Sequence, residues 1–221
     1  MKQYPQIINS LLFTFCLLLA NFSLVAQGLE RLYVNMPDEL NPILSKQNRL
    51  ELLEYHKAHQ VDSIKNRFKN KVILVKFDSV QQHLIVKNTS CSTFEMKVIQ
   101  RPDSTAIIGI IRTVCGPVCQ SRIEFYDKAW RQIALQFKMP KTIDWINASA
   151  LKEGTIDSLW VKHLLEDSYI SLSFDGNTQH LIAICNSLEF LAEEDKKVLT
   201  SLIINKPKVF ELIESKWIKI E

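Results

Sequence analysis

Glycine is scarce in this chain: five occur in 221 residues, and one of them, Gly28, stands just beyond an N-terminal apolar segment. A loop that cradles a phosphate or a dinucleotide needs several glycines at fixed spacing, so fingerprints of that kind are excluded. The patterns of a nucleophile elbow, a zinc-protease helix and the β-lactamase motif set are missing as well. Charge of one sign is lacking: 27 basic and 24 acidic residues leave a formal +3, and they are interspersed. Such a surface gives nucleic acid no basic footprint. The nearest thing to one is Lys65, Arg67, Lys69 and Lys71, whose spacing of two puts them on one wet side of an extended segment. Long hydrophobic runs are confined to one place, the N-terminus.

There, Leu11 to Ala20 form an apolar block, preceded by Lys2, broken by Asn21 and Ser23, and followed by a small-residue exit at Ala26. That order is the one of a secretory signal peptide, residues 1–26, with cleavage after Ala26. A membrane-crossing helix needs about 20 apolar residues, and this block is about half that, so a retained anchor is the weaker alternative. Cys16 lies mid-block between Phe15 and Leu17, a poor setting for the small-residue motif of a lipoprotein. The mature chain is therefore expected to be exported, to the periplasm or the extracellular space, with no transmembrane span.

Residues 27–221 are long enough to bury a core, and the 47% hydrophobic content agrees. They read as a single α+β domain, with a boundary at Met139 and Pro140 that marks lobes over 27–139 and 140–221. Removing Cys16 leaves four cysteines, Cys91, Cys115, Cys119 and Cys185. An oxidising compartment favours disulfides among them, with three connectivities. Cys115 and Cys119 flank a tight turn between two β-like runs, which sets them face to face, so this pair is the favoured bridge. Cys91 and Cys185 are then bridged or buried as free thiols. Thiol oxidoreductases place two residues between their cysteines at a helix N-terminus; here there are three, between strands.

The chain starts with a short extended stretch (Leu32, Tyr33, Val34), then Met36, Pro37 and Asp38 open a helical region. Ser45 caps a helix running to about Ala58, which should lie on a sheet through Leu50 and Leu53. Strands follow at Val72 to Phe77, His83 to Lys87, Thr93 to Gln100, Ala106 to Val114, Gln120 to Tyr126 and Trp130 to Phe137, separated by short turn signals. Linkers this short allow only antiparallel neighbours, hence a β-meander. Phe94, Met96 and Val98 alternate with Glu95 and Lys97, the pattern of one wet face. Ile107, Ile108, Ile110 and Ile111 are apolar on both faces and should be central. The last third reads as helix (Ile156 to Leu165), hairpin (Tyr169 to Phe174 and His180 to Cys185), helix (Ala192 to Ile203), then strand or hairpin (Val209 to Ile220).

Few constellations suggest chemistry. His56 and His59 have metal-compatible spacing but no third ligand at matching distance, and histidines at a helix C-terminus offset the dipole. Glu193, Glu194 and Asp195 fit the first turn of a helix for the same reason. Phe125, Tyr126 and Trp130 read as core. No cofactor or metal is implied and no catalytic residue can be assigned. The tripeptides beginning Asp62-Ser63, Asp78-Ser79 and Asp157-Ser158 resemble the O-glycosylation site of exported Bacteroidetes proteins, although turns and helix caps also favour Asp and Ser.

Met36 to Leu44, Ser45 to Arg49, and Thr113 to Trp130 with its cysteine turn resemble an exported Bacteroidetes family catalogued only as a domain of unknown function. The similarity is most specific around the cysteine turn and only in outline over the last eighty residues. It implies location and fold, and carries no catalytic residues. The expectation is an exported, non-enzymatic binding or envelope-associated protein whose partner is another exported protein. The alternatives are a hydrolase or thiol-redox enzyme assembled from strand ends and loops, and an inhibitor or chaperone-like binder.

Overall fold

The computed structural model describes residues 28–220, apart from 60, 102, 104, 148 and 150–157; the signal segment and its cleavage point lie outside the described residues. The chain begins with a helix, α1, over residues 28–34, where an extended stretch was expected. Its Leu29 and Tyr33, four apart, are both fully buried, which is helical spacing. After a 3-10 turn at Asp38–Leu40 comes α2 (Lys46–Lys57), and the Ser45 hydroxyl accepts from the Asn48 N–H at 3.2 Å as its N-cap. Arg49 on α2 is fully buried. It donates to the carbonyls of Leu44 (2.7 Å), Val34 (3.2 Å) and Met36, and pairs with Asp38 at 2.9 Å, so one guanidinium ties α1, the turn and α2 together.

A six-stranded antiparallel meander follows in simple order: β1 (Ser63–Lys65), β2 (Lys71–Asp78), β3 (His83–Thr89), β4 (Ser92–Gln100), β5 (Ala106–Cys115) and β6 (Cys119–Tyr126). The basic residues from Lys65 to Lys71 are exposed as expected, but the segment is a hairpin tip instead of a continuous strand. It folds back because Lys69 adopts φ 64° and the buried Asn66 carboxamide oxygen accepts from the Phe68 and Asn70 N–H groups. The segment Trp130 to Phe137 is not a strand. Its alternating Ile133, Leu135 and Phe137 are used as packing against a second core while the chain passes between sheets, making only isolated bridges at Gln132 and Gln136.

The second sheet has four antiparallel strands in the order β10-β9-β8-β7: β7 (Ile170–Phe174), β8 (Leu181–Cys185), β9 (Lys208–Ile213) and β10 (Lys216–Lys219). Helix α3 (Ser158–Leu164) precedes it and α4 (Glu193–Thr200) is inserted between β8 and β9. The acidic triplet Glu193 to Asp195 occupies the first turn of α4, as its charge suggests.

β5 lies one place from the edge of the first sheet, yet it is central in depth. Ile108 and Ile110 face the helices in one apolar core, while Ile107 and Ile111 face the second sheet in another. The supposedly wet face of β4 is therefore covered: Glu95 and Lys97 are 6% and 1% exposed. What covers them is β7, which runs its free edge over the face of β4 to β6. Its outward N–H groups are taken by side chains standing on that face, Phe174 N–H by Glu95 Oε1 at 2.8 Å and Leu172 N–H by Ser121 Oγ at 2.9 Å. A pairing edge is thus closed without another strand.

Gly109 on β5 makes this approach feasible, since a Cβ there would lie 2.4 Å from Phe174 Cζ. Gly109→Ala is expected to lower stability in denaturant unfolding by about 1–3 kcal/mol, as overpacking does. Adding Phe174→Leu should recover most of that loss, and an alanine variant as stable as the parent would contradict the contact.

Candidate binding cleft

The turn ends of three hairpins meet beside the junction of the sheets and enclose a cleft of about 430 Å³. β4 supplies its last residues, Ile99, Gln100 and the following Arg101; the β7–β8 turn supplies Asn177 to His180; β9 and its turn supply Glu211, Leu212 and Glu214. Gln81, leading into β3, closes one side. Ile99, 1% exposed, and the half-buried Leu212 form an apolar floor beneath a polar rim.

The rim is braced from within. Asp175 Oδ1 accepts from the N–H groups of Asn177 (2.7 Å) and Thr178 (2.9 Å), and those backbone donors hold its carboxyl below the usual range. The Thr178 hydroxyl accepts from the His180 N–H at 3.1 Å, and Asp175 N–H donates to the His180 carbonyl at 3.0 Å. Arg101 donates to the Glu214 carbonyl at 3.2 Å, linking the first sheet to the second across the cleft.

Behind the rim lies a buried polar cluster. His83 Nε2 sits 2.7 Å from Glu95 Oε1, the oxygen that also accepts from Phe174 N–H, and the Lys97 ammonium donates to the Asp175 carbonyl at 2.6 Å. Burial, aided by the neighbouring Lys76 charge, lowers the Lys97 pKa from its ordinary 10.5. These groups hold the β7–β8 hairpin on the first sheet, so their geometry is that of a brace. The cleft itself gathers a guanidinium, an imidazole, two carboxylates and four carboxamides, donors and acceptors suited to several simultaneous hydrogen bonds with a hydrophilic ligand.

None of these residues was singled out from the sequence. They come from hairpin ends far apart in the chain, and nothing local marks them. The residues that the sequence did single out lie elsewhere. Cys115 and Cys119 form a disulfide at the opposite end of β5, where the register sets them as partners. Cys91 and Cys185 are both free; Cys185 is half-buried, but Cys91 is exposed, because it lies in the β3–β4 turn instead of the core. His56 pairs with Asp62 at 2.5 Å, while His59 stands apart in the turn beyond α2 at φ 50°. Among the described residues no group of three or more His, Cys, Asp or Glu side chains is arranged to hold a metal ion. Phe125 and Tyr126 are core, on opposite faces of β6. Ser63 lies on β1 and Ser79 in the β2–β3 turn, where Asp78 accepts from Val80 and Gln81 N–H groups; Ser158 opens α3.

The architecture so defined is an α+β protein of two antiparallel sheets, joined edge to face beside a polar cleft. The chain belongs to the family described as "Protein of unknown function (DUF3256)", whose model matches residues 21–217. The match includes the last third of the chain, where the resemblance was one of outline. Among solved structures it is similar to a domain of an uncharacterized protein from Porphyromonas gingivalis W83, with a TM-score of 0.74 and 20% identity over 87% of this chain and 97% of that one. At that identity the likeness concerns the fold. No curated protein matches the chain. No helix among the described residues is long and apolar enough to cross a membrane.

Because Lys97 binds its proton less tightly folded than unfolded, its burial cost is full below the folded-state pKa and fades as pH rises toward 10.5. Lys97→Met removes this pH-dependent cost together with the hydrogen bond to the Asp175 carbonyl. Its stability relative to the parent should be highest at neutral pH and decline on the alkaline side; a difference that is flat with pH would contradict the burial of a charged lysine.

Proposed function

We propose that this chain is an exported, non-enzymatic binding protein that takes a polar segment of another exported or envelope protein into the cleft between its sheets. Export is supported by the order of charged, apolar and small residues in the first 26 positions and by the disulfide, which suits an oxidising compartment. The observation that carries the binding reading is the cleft itself: charges of both signs and carboxamides, placed on three braced hairpin ends over an apolar floor. Such a site is built before its ligand arrives, which lowers the ordering cost of association.

The mature chain from Gln27, immobilised and exposed to envelope extract, should retain a defined protein partner that an Arg101→Ala, His180→Ala variant of unchanged stability releases. Recovery of no partner, or equal recovery by both chains, overturns the reading. The same export reading assigns cleavage after Ala26 and O-linked glycan at Ser63, Ser79 and Ser158. Intact mass of the native exported protein should show loss of residues 1–26 with added sugar, and an unshifted mass after signal removal eliminates the glycan.

A further inference from the structure

The Cys115–Cys119 disulfide closes β5 onto β6. On the other side of β5, the register with β4 ends at Ser92 opposite Val114, and the next backbone bond runs from Cys115 N–H to the Cys91 carbonyl at 2.8 Å. Continuing that register by one residue puts Cys91 opposite Cys115, as Cys119 is from the other side. Hydrogen-bonded antiparallel partners have Cα atoms about 5.5 Å apart, within the roughly 4.4–6.8 Å that disulfides span. Cys115 thus has a partner on each flank, one bonded to it and one a free, exposed thiol. The Thr89 hydroxyl lies 3.5 Å from the Cys91 sulfur, as a polar neighbour for a thiolate.

We propose that Cys91, Cys115 and Cys119 form a thiol–disulfide exchange site, in which the bridge moves across β5 from Cys119 to Cys91. The Cys91 thiol loses its proton to solvent and the thiolate attacks Cys115 Sγ. The Cys91–Cys115 bond forms as the Cys115–Cys119 bond breaks, and the electron pair leaves on Cys119 Sγ, which takes up a proton. One disulfide and one thiol are present before and after, so no oxidant or reductant is consumed. The exchange transfers the thiol from an exposed turn to the start of β6, where the Cys119 carbonyl accepts from the Asn186 side chain at 2.8 Å and so joins the two sheets. The site is independent of the cleft and of the binding reading.

Cys119→Ser leaves Cys115 beside Cys91 with its native partner gone. In a glutathione redox buffer, followed by alkylation and non-reducing peptide mapping, this variant should form the Cys91–Cys115 bridge in most molecules, with Cys185 the remaining thiol of residues 27–221. A Cys91→Ser, Cys119→Ser control should leave Cys115 unbridged. Retention of Cys91 and Cys115 as thiols in a folded variant, or pairing of Cys115 with Cys185, overturns the proposal. In the unsubstituted chain, alkylation at Cys119 should appear and increase as pH rises, because the attacking species is the thiolate. Maps in which, of residues 27–221, only Cys91 and Cys185 are alkylated at every pH overturn it even if the serine variant does not fold.

Discussion

The second half of this molecule depends on how one edge strand satisfies its backbone. β7 turns its free edge toward the face of the first sheet, and the outward amides of Leu172 and Phe174 are met by Ser121 and Glu95. A buried N–H left without an acceptor costs about 1–3 kcal/mol, so these two side chains decide whether the sheets can join in this way. The same constraint accounts for the polar residues within β4 and β6 and for the glycine at 109, where the Phe174 ring closes on the sheet. It also explains why a histidine and a lysine are buried there: His83 meets the same carboxylate, and Lys97 holds the hairpin turn through the Asp175 carbonyl.

Joining an edge to a face leaves two distinct ends. At one, hairpin tips from both sheets stand around the polar cleft, with Arg101 bridging to the Glu214 carbonyl. At the other, β5 and β6 are closed by the disulfide, with Cys91 across from it and Asn186 reaching the Cys119 carbonyl. The cleft and the cysteines therefore occupy different parts of one scaffold, at opposite ends of β5.

Much of the fold was legible because it is local. Five of the six meander strands, the Ser45 cap and the hairpin of Tyr169 to Phe174 with His180 to Cys185 follow from alternation and from turn residues a few positions apart. The cysteine turn was legible for the same reason, since Cys115 and Cys119 need only a hairpin between them to face each other. Two local readings failed because tertiary contact competed with pattern. Leu32 to Val34 became helix once Leu29 and Tyr33 shared a buried face. Residues 130–137 kept their alternation but found a core to pack on before they found a strand to pair with.

By itself the sequence determined the antiparallel pairing of β2 through β6 and of β7 with β8, because short linkers rich in turn residues permit no other return. It also determined the chemical inventory, with no glycine-rich phosphate loop and a near-balanced charge. Only the tertiary structure decided which faces stay wet. Glu95 and Phe174, 79 positions apart, meet because β7 has an edge to satisfy, and no period within β4 records the arrival of a strand from so far along the chain. The cleft has the same origin: its residues are unremarkable where they stand in sequence and become a site when three hairpin ends converge.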